Sequence, residues 1–286
     1  MNTAAVLLSL LFAALAAPAR SEDGAPLRAR YETLRARLEA NDFKRQLYLE
    51  SREGERDLRG EVYAVIDESY ALVRPAVEEA GNWCDILIVH MNVKRCRSPA
   101  AGSTLAVGIG RKYEQPAADA YAIEFRFRSF SAGVDYLKVA LEADAGPFGT
   151  HGYRIALEAV PLDAGRTFLH LSYAYGYGFA ARLAMEAYLH TLGRDKVGFT
   201  VVARTRAGAP VYVDGVRGIV ERNAMRYFLA LDAYIDSLRA PASQRIEKRL
   251  RYWYAQTERY PAQLHELEAG EYLAMKRREI ARQSAM

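Results

Sequence analysis

The residues best suited to chemistry by type and spacing are the only two cysteines, Cys84 and Cys96, with His90 midway between them. Zinc needs three or four Cys, His or carboxylate ligands, usually in close pairs. Here the histidine is six positions from each cysteine, and the sequence holds no second cluster. A cysteine nucleophile would need a free thiolate. The pattern therefore favours a disulfide, and the alternatives are two inert thiols, catalysis or metal binding.

The N-terminal segment supports the disulfide because it looks like a signal peptide. Its apolar run, AAVLLSLLFAALAAPA, is too short and too rich in alanine for a membrane span of about 20 strongly apolar residues. Cleavage is expected near Ala19 to Ser21, and an uncleaved anchor is the alternative because no Lys or Arg precedes the run. We expect a periplasmic or secreted protein. In such an oxidising compartment, an even pair of cysteines forms a disulfide by default.

Geometry limits the structure between the cysteines. A straight strand would place them about 40 Å apart, whereas a disulfide spans at most about 7 Å between Cα atoms. A helix over 83–91, a reversal near Asn92 and four extended residues would bring them together. The apolar face of this helix includes His90, which we predict to be a satisfied core histidine.

Other signs of catalysis are missing from the sequence. It contains no Gly-x-Ser-x-Gly, His-Glu-x-x-His or phosphate-loop motif. The five histidines are scattered: His90, His151, His170, His190 and His265. His170 falls on the polar face of its strand and is not expected to act as a base. We predict no catalytic residue, no metal ligand and no cofactor.

The charge distribution argues against a nucleic-acid partner. The net charge is only +4, with 39 basic and 35 acidic residues intermixed, whereas nucleic acid favours a concentrated basic face. The C-terminal stretch MKRREIAR is expected to be a solvated helix face.

The hydrophobic pattern predicts an α+β fold in which antiparallel strands precede one long helix. Period-2 alternation gives the strands one apolar and one wet face. Strands are predicted over 45–51, 59–67, 103–113, 121–130, 136–144, 152–160 and 168–178, with a hairpin over 197–215. Helices are predicted over 26–40, 69–83 (capped by Ser69 and ended by Gly81), 179–192, 216–238, 244–260 and 264–282. We expect the long helix over 216–238 to be covered on both faces.

The order of these elements resembles the helix-grip fold of the START-like superfamily, which includes lipid-transfer domains, polyketide cyclases and pathogenesis-related plant proteins. RGEVYAVIDESYALVRPAVEEAGNWCDIL is similar to its opening strand and helix pair, and VDGVRGIVERNAMRYFLALDAYIDSL to its closing strand end and gripping helix. Three features depart from the family pattern: an extra first strand, the helix over 179–192, and helical extensions at both ends. The implied domains are a signal peptide (1–20), an N-terminal helical segment (21–44), the helix-grip domain (45–239) and a C-terminal helical extension (240–286).

The resemblance implies a curved sheet around the long helix, with an apolar cavity between them. It implies an exported carrier of a lipid-like hydrophobic or amphipathic molecule, with transient membrane contact. The alternatives are a cyclase, dehydratase or hydrolase on the same scaffold, or an envelope scaffold protein with a filled core. The residues expected to line the cavity are Phe125, Phe127, Val139, Tyr153, Tyr173, Tyr175, Tyr177, Tyr227 and Tyr234. For each tyrosine, ordinary core packing is the alternative.

Overall fold

An eight-stranded antiparallel sheet, curved and open, forms the centre of the protein. The computed structural model describes residues 23–99, 102–191 and 193–284, so the predicted signal peptide lies outside the described residues. The strands are β1 Leu47–Glu53, β2 Asp57–Ile66, β3 Val93–Arg97, β4 Thr104–Ile109, β5 Tyr121–Ala132, β6 Tyr136–Ala145, β7 Thr150–Pro161 and β8 Thr167–Tyr177. Their hydrogen-bonded order is β1-β2-β8-β7-β6-β5-β4-β3. The predicted hairpin is confirmed as a separate pair, β9 Val201–Arg204 and β10 Pro210–Tyr212.

One long helix lies across the inner face of the sheet. The helices are α1 Ala25–Glu39, α2 Tyr70–Glu78, α3 Ala80–Leu87, α4 Phe179–His190, α5 Gly215–Ser237, α6 Arg245–Thr257, α7 Pro261–Leu264 and α8 Ala269–Ser284. α5 packs on β1, β2 and β8, and α6 covers its other side. The α+β helix-grip class and the cover on both faces of the long helix are therefore confirmed.

The contact between α5 and β2 is closest at Gly60. A Cβ at this position would lie 2.9 Å from the Cβ of Ala224 and 3.1 Å from the carbonyl oxygen of Val220. Glycine removes the side chain that would hold helix and strand apart. The helix is thus seated on the β1-β2-β8 half of the sheet, and the space beneath its N-terminal half opens towards β4, β5 and β7.

The outer face of the sheet is not wholly wet, which corrects the prediction. α1 buries Leu27, Leu34 and Leu38 against a second core that includes Tyr63 and Phe168. Outward positions at this end of the sheet carry large apolar side chains, and burying them removes apolar area from water. The N-terminal helix is thereby fixed to the back of the sheet.

Two consecutive helices are predicted here, over 69–83 and 83–91, and the structure has two, but the break between them is earlier than predicted. α2 and α3 meet at Glu79, whose φ of −100° and ψ of 130° are extended, and Gly81 lies inside α3 instead of ending a helix. Ser69 occupies the N-cap position of α2, where its side chain makes no capping hydrogen bond. α3 ends at Leu87, before the predicted position 91. The β-branched residues that follow, Ile88 and Val89, lose side-chain freedom in a helix.

The disulfide prediction is confirmed. Cys84 in α3 and Cys96 in β3 are bonded, with their Cα atoms 5.1 Å apart. The returning segment is a full edge strand, because β3 pairs with β4. The bond therefore ties α3 to one edge of the sheet.

The C-terminal extension departs from its predicted exposure. Lys276 is fully buried and its Nζ donates to the carbonyl oxygens of His90 (3.2 Å) and Val93 (2.7 Å). It also pairs with the buried Glu279. The stretch MKRREIAR is therefore not only a solvated helix face, because part of it packs inside the protein. Buried carbonyl groups need hydrogen-bond donors, and Lys276 supplies one at the turn before β3.

Three further boundaries differ from the predictions. The strand predicted over 103–113 ends at Ile109, and the helix predicted over 264–282 begins only at Ala269. The helix predicted over 179–192 is α4, which ends at His190. Within the described residues, no helix is long and apolar enough to cross a membrane.

Candidate functional site

A cavity of about 470 Å³ lies between the sheet and the N-terminal half of α5. α4 and the tight turn Pro147–Gly149 also contribute to its wall. Its apolar and aromatic lining consists of Ile109, Ile123, Phe125, Pro147, Phe148, Tyr153, Tyr173, Tyr175, Ala181, Met185, Ile219 and Tyr227. The volume falls within the range of about 300–1,000 Å³ typical of small-molecule sites.

The structure brings five of the nine predicted ligand-binding residues to this cavity. They are Phe125, Tyr153, Tyr173, Tyr175 and Tyr227. Strand alternation turns Phe125 inwards, whereas its neighbour Arg126 pairs with Asp144 on the outer side. That these five residues bind a ligand remains a prediction.

The other four predicted residues lie away from the cavity. Phe127 is half-buried against the main core, and Val139 is fully buried within it. Tyr177 is buried at the end of β8 and does not line the cavity wall. Tyr234 carries the guanidinium of Arg249 over its ring at 4.5 Å, on the side of α5 that faces α6. Alternation along a strand shows that a side chain points inwards, but it does not show whether that side chain packs in the core or lines a cavity. These four positions therefore have the same apolar pattern as the lining.

The cavity tyrosines form a continuous aromatic wall. Tyr153 stacks on Tyr175 with centroids 5.3 Å apart, and Tyr173 lies 5.0 Å from Tyr227. A register shift in β7 between His151 and Arg154 accompanies the placement of Tyr153. Burial raises the pKa of Tyr173 and Tyr227, so both hydroxyls stay neutral. Within the described chain neither hydroxyl has a hydrogen-bond partner, and each can therefore serve a ligand.

His90 also lines the cavity, which corrects its prediction as a satisfied core histidine. Its Nδ1 accepts a hydrogen bond from the backbone amide of Asn92 at 3.1 Å. The proton of the neutral ring is therefore on Nε2. That Nε2 is buried and has no hydrogen-bond partner among the described residues. The chain leaves the helix at Leu87, so His90 stands on a turn beside the cavity and not on a helix face.

The charge state of His90 follows from its surroundings. Burial, together with the nearby cations Arg226, Lys276, Lys112 and Lys94, lowers the pKa of His90 well below its usual value. The ring is therefore neutral at physiological pH. It offers one N–H donor and no charge.

Three cations line the same end of the cavity: Lys112, Arg222 and Arg226. Glu266 is the shared carboxylate of this group. It lies 2.5 Å from Lys112 Nζ, 2.8 Å from an Arg226 nitrogen and 3.7 Å from Lys196 Nζ. Burial opposes its ionisation, but Arg226 and Lys112 outweigh burial and lower the pKa of Glu266. The carboxylate is therefore ionised and neutralises only part of the cationic charge.

Arg222 and Arg226 are each only 2% exposed. Arg222 donates to the carbonyl oxygen of Val197 at 3.2 Å, and no carboxylate of the described chain lies within ion-pairing distance of it. The Nε of Arg226 is buried without a hydrogen-bond partner in the same part of the chain. Burial lowers the pKa of both guanidinium groups, but an arginine remains protonated in proteins.

The sequence analysis missed these polar residues, although one signal could have found two of them. Arg222 and Arg226 are one helical turn apart on a helix predicted to be covered on both faces. Such a helix has little wet surface to receive a charged side chain, so buried arginines were implied. His90 carried no equivalent signal, because its position depends on where α3 ends.

Among the described residues, no group of three or more His, Cys, Asp or Glu is arranged to hold a metal ion. The prediction that the cysteines and His90 do not form a metal cluster agrees with the disulfide.

Comparison with known proteins gives similarity in solved structures only. No family model matches the chain, and no curated protein matches it. A START superfamily protein from Mycobacterium smegmatis is 12% identical, with a TM-score of 0.31 over 47% of this chain and 92% of that one. An aromatase/cyclase from Streptomyces sp. R1128 is 11% identical, with a TM-score of 0.33 over 71% and 94%. A truncated norcoclaurine synthase from Thalictrum flavum is 12% identical, with a TM-score of 0.33 over 50% and 91%.

Proposed function

We propose that this protein is an exported binding or carrier protein for a lipid-like small molecule held in the cavity beneath α5. The single observation that carries the proposal is the cavity itself. It is about 470 Å³ in volume, and its lining includes Phe125 and five tyrosines. A mostly apolar pocket with a few convergent polar groups is the usual form of a small-molecule site.

Export is part of the proposal and is supported by the disulfide between Cys84 and Cys96. Disulfides persist in oxidising compartments and are rare in the cytosol. The apolar N-terminal run with its small-x-small site agrees with this location.

Transient membrane contact is a further part of the proposal. Phe148 and Phe179 are 75% and 84% exposed, and their segments lie in contact beside the cavity. Exposed aromatic side chains next to an apolar cavity favour delivery from a lipid surface. In a liposome flotation experiment, replacing both with serine should reduce co-flotation; unchanged co-flotation would count against this route.

The test of binding uses a variant that fills the cavity. Ala181 and Ala187 are both on α4, but Ala181 is buried in the cavity wall and Ala187 is exposed. Ala181→Trp should abolish the fluorescence increase of an apolar dye such as Nile red, whereas Ala187→Trp should leave it unchanged. Equal binding by both variants would place the dye elsewhere and remove the support for this site.

An enzyme of the cyclase, dehydratase or hydrolase type is the second candidate, favoured by one observation. A neutral His90 with an unpartnered Nε2–H faces the same cavity as Arg222 and Arg226. These groups could stabilise a developing oxyanion. The test is turnover of an enolisable aromatic ketone by the protein and by His90→Gln. Turnover that depends on His90 would favour the enzyme, and binding without turnover would favour the carrier.

A further inference from the structure

We propose that the ligand is an apolar anion whose oxyanion head group lies against Arg222, Arg226 and His90, with its apolar body against the tyrosine wall. This inference rests on the proposed function, because it assigns a ligand class to the same cavity. Three observations support it: the charge balance, the uncommitted donors, and the mixture of cationic and apolar residues in the lining of one cavity.

The charge balance leaves positive charge at one end of the cavity. Four cations, Lys112, Lys196, Arg222 and Arg226, face the single carboxylate of Glu266. Arg222 has no ion pair in the described chain, and burial disfavours an uncompensated charge. A ligand anion would supply the missing counter-charge.

The donor inventory points in the same direction. An arginine has five N–H donors in a fixed fork. Arg226 leaves its buried Nε unpartnered, and Arg222 donates to the carbonyl oxygen of Val197 and contacts the hydroxyl of Tyr188, which leaves part of its fork unused. Lys112 Nζ also donates to the Tyr188 hydroxyl, at 3.2 Å. His90 contributes a further unpartnered donor, its Nε2–H. An oxyanion, which only accepts hydrogen bonds, would match these donors.

Much of the remaining lining of the cavity is apolar. It includes Ile123 and Phe125 on β5, Ile219 on α5 and Met185 on α4. The cationic and apolar parts of the lining together require a ligand with an ionised head and an uncharged body. A neutral lipid would leave the arginine donors unpaired, and a small polar anion would leave the apolar wall unfilled.

The test compares four single-chain ligands by isothermal titration calorimetry at pH 7.5 with the mature protein. Decanoate and decyl phosphate carry anionic heads, decan-1-ol has a neutral head, and decyltrimethylammonium has a cationic head. We expect at least one anion to bind roughly tenfold or more tightly than decan-1-ol, since charge-assisted hydrogen bonds are about twice as strong as neutral ones. The ranking of decanoate and decyl phosphate then distinguishes a carboxylate from a phosphate head. The ammonium compound should bind most weakly.

Variants locate the head group. Arg222→Met and Arg226→Met should reduce the preference for the anion at least tenfold and leave decan-1-ol binding nearly unchanged. Arg217→Met is the matched control, because Arg217 is on the same helix but its Nε donates to Ser51 Oγ outside the cavity. Arg222→Lys and Arg226→Lys keep the charge and should retain part of the preference if the methionine variants do not fold.

The outcomes separate this inference from the proposed function. Equal affinity for decanoate, decyl phosphate and decan-1-ol would overturn the anion assignment while supporting an apolar cavity. An anion preference unaffected by the two arginine positions would also overturn it. If protein from which bound lipid has been removed binds none of the four ligands, the proposed function itself is overturned.

Discussion

The imidazole of His90 stacks on the ring of Tyr227, with centroids 4.9 Å apart and an interplanar angle of 24°. His90 belongs to the segment closed by the Cys84–Cys96 disulfide, and Tyr227 belongs to α5. The segment that the disulfide closes is therefore in direct contact with the wall of the cavity. The cysteine segment therefore holds the fold and also contributes to the candidate site.

The first prediction concerns the titration of His90. Its folded pKa lies well below 6.5 because of burial and nearby cations, so the ring should stay neutral as the pH falls through 6.5. The unfolded chain takes up this proton near pH 6.5, and the stability that His90 contributes is therefore lost as the pH falls further. Nitrogen-15 NMR should show a neutral ring protonated at Nε2.

His90→Gln should flatten the loss of stability below pH 6.5 in urea unfolding experiments, and the exposed His190 gives a matched control, His190→Gln. A His90 resonance that titrates near pH 6.5 would contradict the placement of this ring in a dry, cationic wall.

The second prediction concerns His170 and has the opposite sign. Its ring lies between Glu158 (3.0 Å) and Glu61 (3.1 Å) on the outer face of the sheet and stacks on Tyr63. Burial alone would lower the pKa of His170, but the two glutamates outweigh burial and raise it above 6.5. Its contribution to stability is complete below pH 6.5 and is lost as the pH rises through the folded pKa.

The measurement is the free energy of unfolding of the protein and of His170→Gln at several pH values from 5 upwards. The difference between them should shrink as the pH rises above 6.5. A difference that is constant with pH would show that the pKa of His170 is not raised in the folded protein.

The third prediction distinguishes cavity wall from solid core. Tyr173→Ala removes a ring that lines the cavity, whereas Phe168→Ala removes a fully buried ring packed between β8 and α1. Truncating an aromatic side chain in a solid core costs about 3–5 kcal/mol. We expect this cost for Phe168→Ala in urea unfolding and a smaller cost for Tyr173→Ala, with a larger change in dye affinity. Equal costs and unchanged affinity would indicate that Tyr173 is ordinary core.

The fourth prediction concerns the disulfide. Non-reducing and reducing mass spectrometry of exported protein should show Cys84 and Cys96 joined. In the chain-entropy model, closing a loop of this length stabilises the fold by about 3 kcal/mol. Replacing both cysteines with serine should lower Tm and leave ligand binding measurable, because neither cysteine lines the cavity. Free thiols in exported protein would contradict the bond.

The sequence predicted the sheet and the long helix because both depend on local periodicity. The alternation around Phe125 and Arg126 defines which side of β5 faces inwards, and that register is also the one in the structure. The disulfide could be predicted because a helix followed by a returning strand can bring the two cysteines together, and because the expected oxidising compartment favours a bond between them. The exact break between α2 and α3 could not, because it depends on the backbone of Glu79, a residue that is common in helices, and it falls before the predicted stop at Gly81.

The polar end of the cavity depends on contacts between distant segments. Glu266 follows α7 and meets Arg226 from α5 and Lys112 from the loop after β4. No local pattern pairs residues so far apart in the chain. Val139 and Tyr173 have similar inward positions in their strands, yet only Tyr173 lines the cavity. The two residues lie at different levels along the strands, because Val139 is level with Leu157 and Leu171 whereas Tyr173 is level with Ile155.

The most direct test of a ligand-carrying cavity is to purify the protein from its exporting host without detergent. Small molecules are then extracted from the purified protein with organic solvent and identified by mass spectrometry. We expect an apolar small molecule bound to the protein in a near-stoichiometric amount, which Ala181→Trp loses and Ala187→Trp keeps. A protein that is repeatedly free of small molecules and fails to take up Nile red would show that the cavity carries no ligand.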